Sequence, residues 1–186
     1  MAIKLNCISA TYGFNAVRNV LGKNSNNPNY VMPVFLGSNH LPVDDITGEP
    51  IEADCVWDSM RIVQASSRHK IKDPFFRVTI CPTFKECNGW SIENWKQCLD
   101  DAVRHLDNTV LLGYHTELSN CQWAAAVHLK TENPCIHLIA NRITMDDRCQ
   151  NSFRIGVRAV MAANAMAEER GWTKAKDIHT NRCKKE

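Results

Sequence analysis

The sequence of 186 residues predicts an α/β protein of the α+β type, with a mainly antiparallel sheet and helices packed chiefly on one face. Three observations lead to this fold class. Two runs between 122 and 142 that suit strands flank a turn cluster, the stretch FFRVTIC at 75–81 alternates apolar and polar side chains, and residues 91–106 carry apolar side chains at helical spacing. An antiparallel hairpin, a further strand and a long amphipathic helix together form a sheet with a helical layer.

The first half of the chain predicts two strands and two helices. Residues 2–9 suit a strand, and residues 14–21 suit a short helix because Gly22 and Asn24 follow as stop signals. Residues 24–52 are rich in Asn, Pro and Gly, so they predict a loop-rich excursion that is either ordered or a flap over a groove. The next helix and strand are expected at 53–63 and 75–81, with Phe76, Val78 and Ile80 on one face of the strand.

The second half predicts two long helices around the hairpin. The first covers 91–106, with Ser91 as N-cap and an apolar stripe that faces the sheet. Residues 110–114 suit a short strand or a turn. The second helix covers 153–171, with Ser152 as N-cap and Gly171 at the C-terminal cap.

Composition limits the class of protein. Lys and Arg number 22 against 20 Asp and Glu, so the chain is not a polybasic nucleic-acid binder overall, although local patches can be basic. Nine cysteines without a CxxC pair favour reduced thiols over a secreted disulfide framework. No stretch approaches the ~20 apolar residues of a membrane-spanning helix. We therefore expect one cytoplasmic domain over 1–186 that ends in a polar tail at 172–186.

The predicted hairpin brings three potential metal ligands to one face of the sheet. Residues 131–134, TENP, form the turn. Because strand side chains alternate, His128 on the first strand shares a face with Cys135 and His137 on the second. Two imidazoles and a thiolate are competent ligands for one metal ion. The pattern also fits two sheet histidines beside a buried free cysteine, so both interpretations stay open at this point.

The hairpin resembles the third motif of relaxases, the mobilization nucleases of plasmids and transposons in the histidine-hydrophobic-histidine class. That motif runs roughly QxxxxxHxDxxxxHxHxxxNR, and Lys130 stands here at its Asp and Cys135 at its middle His. Residues 3–23 resemble the family's first strand and helix, with Asn19 in the tyrosine position of a pattern like AVxYVL. The residues that match the third motif are Gln122, His128, His137, Asn141 and Arg142.

The resemblance implies a reaction on DNA as well as the predicted architecture. In this family a tyrosine attacks a phosphodiester of single-stranded DNA at a transfer origin and stays joined to the 5′ end. A divalent ion held by three side chains polarises the phosphate. Mn²⁺, Mg²⁺ and Zn²⁺ are the candidate ions, with Zn²⁺ favoured if Cys135 is a ligand. The implied ligands are His128, His137 and Cys135, with Gln122 and Asn141 behind them.

The nucleophile is the position at which the sequence departs most from the family. An amide such as Asn19 cannot replace a tyrosine hydroxyl as nucleophile. Tyr12 lies just ahead of the first helix and Tyr30 lies in the NNPNY segment, so these two are the nucleophile candidates, with Tyr12 preferred. Tyr114 is expected to pack beside the hairpin.

Basic residues are expected to contact DNA phosphates. Arg68, Lys70 and Lys72 form the densest run, SRHKIK at 67–72, and Arg142 follows the hairpin motif.

Three functions remain as alternatives. The first is a nicking relaxase that works with accessory mobilization proteins, and the second is a catalytically impaired, relaxase-like DNA-binding accessory protein. The third is an unrelated cytosolic α/β protein with a structural metal or none. Under the first two, the chain is expected to be either an excised domain or a minimal version of a relaxase.

Overall fold

Antiparallel strands form the centre of the structure, a computed structural model that describes residues 3–11, 13–22, 31–48, 52–129 and 133–175. The strands of the described residues are Lys4–Ala10 (β1), Val34–Asn39 (β2), Phe75–Cys81 (β3), Cys121–His128 (β4) and Cys135–Thr144 (β5). Their α-helices are Phe14–Val20 (α1), Ala53–Ser66 (α2), Phe84–Cys87 (α3), Ile92–Asn108 (α4) and Ile155–Glu169 (α5). The strands lie in the order β1-β3-β5-β4-β2, and every neighbouring pair is antiparallel. The predicted α+β class with an antiparallel sheet is confirmed.

Alternation along the strands decides which side chains lie under the long helices. On β3, Phe76, Val78 and Ile80 point into the larger of two cores, as predicted. Ala125 and Val127 of β4 enter the same core. α4 and α5 cover this face with their apolar stripes, including Trp95, Leu99, Ala159 and Met166. The two longest helices therefore form one layer, as the fold class predicted.

The opposite face of the sheet carries a smaller core under α1 and α2. Val17 of α1 and Met60 of α2 pack there against the small side chains Ala124 and Ala126 of β4. This face also bears the histidines of the hairpin, because they alternate with the residues of the larger core. The two helices on this face, α1 and α2, thus position the candidate site.

β2 is the strand that the sequence does not reveal. It lies inside the segment 24–52 that predicted loops, and it pairs with β4 at the edge of the sheet. A register shift between Phe35 and Gly37 interrupts the pairing, and only Leu36 of this strand is fully buried. A short edge strand with a bulge buries few side chains, so its sequence shows no clear alternation.

Helix ends follow the predicted signals with one exception. Ser91 caps α4 and accepts a hydrogen bond from the Asn94 backbone, as predicted. α5 begins at Ile155, so the prediction of Ser152 as its N-cap is wrong. Arg154 occupies the cap instead, with a left-handed φ of 47° that cannot continue a helix. Residues 110–114 form a turn, in which Leu111 and Tyr114 exchange backbone hydrogen bonds.

None of the helices in the described part of the chain is long and apolar enough to cross a membrane. Residues 176–186 of the predicted tail and Asn24 of the predicted helix stop lie outside the described residues, as do Lys130, Thr131 and Glu132 near the hairpin turn.

Candidate functional site

His128 and His137 lie side by side at the end of the hairpin. Their ring centroids are 4.8 Å apart and the ring planes are inclined by 77°. The pairing of β4 with β5 sets His128 opposite Cys135 and His137 opposite Ala126. Ala126 is small, so the ring of His128 has room beside His137. The prediction that the two histidines share a face of adjacent strands is confirmed.

Both imidazoles favour the neutral form. Burial lowers the pKa of His128. The pKa of His137 falls to about 4, because burial, the neighbouring His128 and the charge of Arg77 all disfavour its protonation. A neutral imidazole has one ring nitrogen that can accept a hydrogen bond or bind a metal ion. Near neutral pH each imidazole therefore offers one nitrogen lone pair, and the pair carries little positive charge.

Helix α1 places Asn19 next to His137. Val17 and Val20 anchor this helix in the smaller core, which turns Asn19 toward the sheet. Asn19, Arg77 and His137 line one small cavity of about 20 Å³. That volume suits a single water molecule or one oxygen of a ligand. The residue that the resemblance sets in the tyrosine position therefore shares a cavity with His137.

Cys135 differs from its predicted role. Its sulfur is bonded to Cys81 of β3, and the two Cα atoms lie 4.4 Å apart. The expectation that all cysteines are reduced thiols is wrong for this pair, because β3 and β5 are neighbours and set the two side chains against each other. A disulfide sulfur has no proton to lose, so it is not the thiolate ligand that the sequence predicted.

The residues present do not fit a three-ligand metal site in this disulfide form. Within the described ranges, no three His, Cys, Asp or Glu side chains are grouped so that they could hold an ion. His128 and His137 supply two nitrogen donors. A catalytic zinc site typically uses three protein ligands and keeps one open position.

Gln122 and Asn141 hold α2 on the sheet. The Asn141 amide is fully buried and donates to the Met60 carbonyl oxygen (3.1 Å), while Gln122 donates to the Ser59 hydroxyl (2.8 Å). Asn141 also accepts a hydrogen bond from Gln64. Asn141 is four residues beyond His137 on β5, which corresponds to about 13 Å along a strand. These contacts give the two amides a role in positioning α2, at a distance from the histidines.

Arg142 uses its side-chain donors within the protein. The side chain is buried and donates to the backbone oxygens of Asp73 (2.6 Å) and Gln150 (2.7 Å). Its guanidinium carbon also lies 5.1 Å from the centre of the Phe76 ring. These contacts argue against the predicted phosphate contact, which stays a prediction.

The run at 67–72 lies at the far end of the same sheet face. Arg68 is exposed and lies 3.4 Å from Asp147, and Lys70 donates to the Ser67 carbonyl oxygen (3.3 Å). Lys72 lines a cleft of about 270 Å³ together with Trp57 and Arg61. These basic residues follow α2 and precede β3. Because β3 begins at Phe75, which pairs with Asn141, they lie at the end of β5 away from His137. A bound single strand of several nucleotides would be long enough to reach from them to the histidines.

Both preferred tyrosines, Tyr12 and Tyr30, lie outside the described residues. Thr11, which precedes Tyr12 in the sequence, donates to Asp73 (2.6 Å) and lines the same cleft as Lys72. Tyr114 packs on Phe153, with ring centroids 5.4 Å apart.

Cys81 is a residue beside the histidines that the sequence did not single out, and Arg77, one of the basic residues that could contact DNA, lies on the same strand. They lie on β3 beside the hairpin, on the face that bears the histidines. The alternation of FFRVTIC contained the signal, because placing Phe76 in the core turns Arg77 and Cys81 to the other face. The pairing of β3 with β5, which the alternation does not reveal, brings both side chains close to the hairpin.

The fold and the site define the class of protein. An antiparallel sheet with a histidine pair on its central hairpin, facing a short helix from the start of the chain, is the arrangement that the relaxase resemblance implied. The sequence model of the relaxase family described as MobA/VirD2-like, nuclease domain, matches residues 47–172, more than half of the chain. The chain belongs to this family, and the alternative of an unrelated α/β protein is wrong. No curated protein sequence matches the chain.

The family match begins after β1 and α1. It therefore covers the histidines and the hairpin motif. The assignment of Asn19 to the tyrosine position depends instead on the motif in residues 3–23 and on the cavity that Asn19 shares with His137. Membership supports a general role in DNA nicking and mobilization, and relaxases generally use a divalent metal ion.

Proposed function

We propose that the protein binds single-stranded DNA at the transfer origin of a plasmid or other mobile element, as a relaxase-like component of mobilization in the cytoplasm that acts with accessory mobilization proteins. The observation that carries this proposal is the position of Asn19, which lines one cavity with His137 and Arg77. The chain belongs to a family whose domain is described as a nuclease, which supports a DNA strand as the ligand of this site. An asparagine there can bind a phosphate but cannot form a covalent bond with it.

Hydrogen bonding explains how the site would hold a phosphate. The Asn19 amide and the Arg77 guanidinium offer N–H donors on one side of the cavity, and a neutral histidine offers a further N–H donor. Arg77 is exposed at the surface of the sheet, so its guanidinium is accessible to a phosphate. The lysines at 70 and 72 add phosphate contacts that do not depend on base sequence.

Loss of the nucleophile follows from the chemistry of an amide. A tyrosine hydroxyl gives up its proton and attacks phosphorus, whereas the amide nitrogen of asparagine is tied up in resonance with the carbonyl group. The implied divalent ion, Mn²⁺, Mg²⁺ or Zn²⁺, would polarise the phosphate, but the disulfide form supplies two donors for it. We therefore derive no metal-assisted step from this form of the site.

A second candidate function is nicking of the DNA strand by a tyrosine elsewhere in the chain, which then stays joined to the 5′ end. Thr11 and Lys72 line one cleft of about 270 Å³ at the end of the site face, and Tyr12 is the next residue after Thr11. In this version the nucleophile is Tyr12 or, in second place, Tyr30.

A binding and adduct assay tests both candidates. Single-stranded oligonucleotides that tile the DNA flanking the gene are mixed with the protein at increasing salt, and the matching duplexes serve as controls. We expect binding of single strands that weakens as salt rises, with a slope of roughly −0.7 per phosphate contact. Absence of single-strand binding at low salt would contradict the proposal.

Covalent chemistry separates the binder from the nicking enzyme. After incubation with a divalent ion, the samples are denatured and examined for protein joined to DNA. The proposed binder leaves no adduct. An adduct that disappears in Tyr12→Phe or in Tyr30→Phe establishes the nicking function and identifies its nucleophile.

A further inference from the structure

An aromatic ring and a cation form one wall of the cleft at the start of β3. Trp57 of α2 stacks on the buried ring of Phe75, with ring centroids 5.2 Å apart and planes inclined by 24°. One helical turn further on, the guanidinium carbon of Arg61 lies 5.6 Å from the centre of the Trp57 ring. Trp57 is half-buried and Arg61 is exposed, and both line the cleft. This Trp57–Arg61 wall therefore offers two flat groups, an indole and a guanidinium.

Polar groups lie among the apolar side chains that complete the cleft. Ile71 and Pro74 supply apolar surface, while the amide of Gln64 and the hydroxyl of Thr11 supply polar atoms. Gln64 donates to the amide oxygen of Asn141 (3.3 Å). This single bond among the described residues orients the Gln64 amide and uses one of its four hydrogen-bonding positions. The amide is thus held by the fold and can still bond to a ligand in the cleft.

The size and charge of the cleft suit one nucleotide. Its volume is about 270 Å³, close to the lower end of the roughly 300–1,000 Å³ of ligand pockets, so it can take one ring system and no longer segment. Lys72 lines the cleft and is exposed, so its ammonium group can pair with a phosphate. A planar ring with a polar edge and an attached phosphate matches the wall, the amide and the lysine together.

We propose that this cleft binds one unstacked nucleobase of the DNA strand, with the base stacked on the Trp57–Arg61 wall and its polar edge facing Gln64. The inference rests on the proposed function and adds to it a source of base preference, which phosphate contacts alone do not supply. Stacking tolerates every base, so the preference comes from the amide. A glutamine amide offers an acceptor and a donor to one base edge, and adenine is the base that takes both.

The cleft is separate from the cavity that Asn19 lines. The cleft lies at the start of β3, where Phe75 pairs with Asn141, whereas the cavity lies at His137, four residues back along β5. A base and a phosphate of the same strand would therefore be held at two points of the face that bears the histidines. Binding of the base needs no nucleophile, so it applies to a binder and to a nicking enzyme alike.

Removal of single bases from the DNA locates the base that enters the cleft. The probe is the tightest-binding oligonucleotide of the tiled single strands, made as a series in which each base in turn is absent while the phosphate backbone is intact. We expect one position at which loss of the base weakens binding to the native protein by roughly 5- to 100-fold, the range for stacking of one base on an aromatic side chain. At that position adenine should bind more tightly than the other three bases.

Substitutions in the cleft show whether that base lies there. In Arg61→Ala the loss of the base should change affinity by no more than about 2-fold, because the residue and the base act as a pair. Arg61→Lys keeps the charge without the flat guanidinium, so it should resemble Arg61→Ala. Gln64→Leu should still lose affinity with the missing base but no longer prefer adenine. Circular dichroism of each variant checks that the fold is retained.

Arg154 provides the matched control. It is an exposed arginine whose guanidinium carbon lies 5.5 Å from the centre of the Phe153 ring, so it repeats the contact of a cation with an aromatic ring elsewhere in the fold. It precedes α5, which covers the opposite face of the sheet. Arg154→Ala should therefore bind the whole series of oligonucleotides as the native protein does.

The outcomes separate this inference from the proposed function. A native protein that binds no single strand would overturn both. Single-strand binding that loses the same affinity with the missing base in the native protein and in Arg61→Ala would overturn the cleft as a base site, while the proposed function would stand. The same would follow if Arg154→Ala behaved like Arg61→Ala, because the effect would then be one of charge. Equal affinity for all four bases at that position would overturn the role of Gln64.

Discussion

Asn19 of α1 and His137 of β5 line the same cavity of about 20 Å³, although 118 positions separate them in the sequence. The resemblance in residues 3–23 assigns Asn19 to the tyrosine position of a relaxase, and the structure places this residue in the cavity that His137 lines. If position 19 is the nucleophile position, an amide stands there in place of a reactive hydroxyl.

A tyrosine at position 19 should therefore create some nicking activity. We expect Asn19→Tyr combined with Cys135→His to form a covalent adduct with single-stranded DNA in the presence of Mn²⁺. The first change supplies a nucleophile beside His137, and the second removes the disulfide and adds a third imidazole. The measurement is the fraction of DNA that remains joined to protein after denaturation.

The control for this gain of nicking activity places the tyrosine one helical turn away from position 19. Asn15 is exposed on the same helix, so Asn15→Tyr with Cys135→His carries the same new groups with the hydroxyl displaced by about 5.4 Å. Reacting atoms must lie within about 3.5 Å, so this variant should stay inactive. Equal adduct formation by both variants would mean that position 19 is not the nucleophile position.

Asn141→Ala should destabilise the protein. The buried amide donates to the Met60 carbonyl oxygen and accepts from Gln64, so its removal leaves buried polar groups on α2 unsatisfied. We expect the free energy of unfolding in urea to fall by about 2 kcal/mol. Asn88→Ala, at an exposed position after α3, is the control and should have little effect.

The sequence could predict those parts of the fold and site that depend on local pattern. Alternation fixed the faces of β3, β4 and β5, and Pro134 together with the turn signals fixed the pairing that sets His128 beside His137. The side of α4 that faces the core also followed from its apolar stripe. These features need only neighbours in sequence or one short turn.

Features that depend on the order of strands could not be predicted in this way. The Cys81–Cys135 bond joins residues 54 positions apart, and it requires that β3 lie beside β5. The burial of Arg142 likewise depends on the carbonyl oxygens of Asp73 and Gln150, which reach it through the tertiary fold. A basic residue in a DNA-binding motif was therefore assigned to DNA when its donors are used inside the protein.

Lys70 and Lys72 should contribute to DNA binding by pairing with phosphates. We expect Lys70→Ala with Lys72→Ala to weaken single-strand binding at low salt and to reduce the salt slope by roughly 0.7 for each lysine that pairs with a phosphate. Lys85→Ala with Lys96→Ala removes the same charge from exposed positions on α3 and α4. Because α4 covers the opposite face of the sheet, the control pair should bind normally. Equal weakening in both double variants would indicate a general charge effect.

Asp101 should stabilise the packing of α4 against α5 in a pH-dependent way. Its carboxylate accepts hydrogen bonds from Arg104 (2.9 Å) on its own helix and from Arg170 (2.8 Å) after α5. Burial alone would raise the pKa of Asp101, but these two arginines outweigh it and hold the pKa below its usual range. Asp101→Asn should lower the free energy of unfolding at pH 7 by about 1–2 kcal/mol.

The direction of the pH effect follows from the lowered pKa. The unfolded chain binds the proton at a higher pH than the folded protein, so the stability that Asp101 contributes is fully present above pH ~4 and is lost as pH falls through the lower folded pKa. The gap between the native protein and Asp101→Asn in urea unfolding should therefore narrow from pH 7 to pH 3. Asp100→Asn is the matched control, because burial and the charge of Asp101 raise the pKa of Asp100. Neutralising that carboxyl should leave stability unchanged or slightly higher at pH 7, and a constant gap for Asp101→Asn at both pH values would contradict the assignment of a charged contact between α4 and α5.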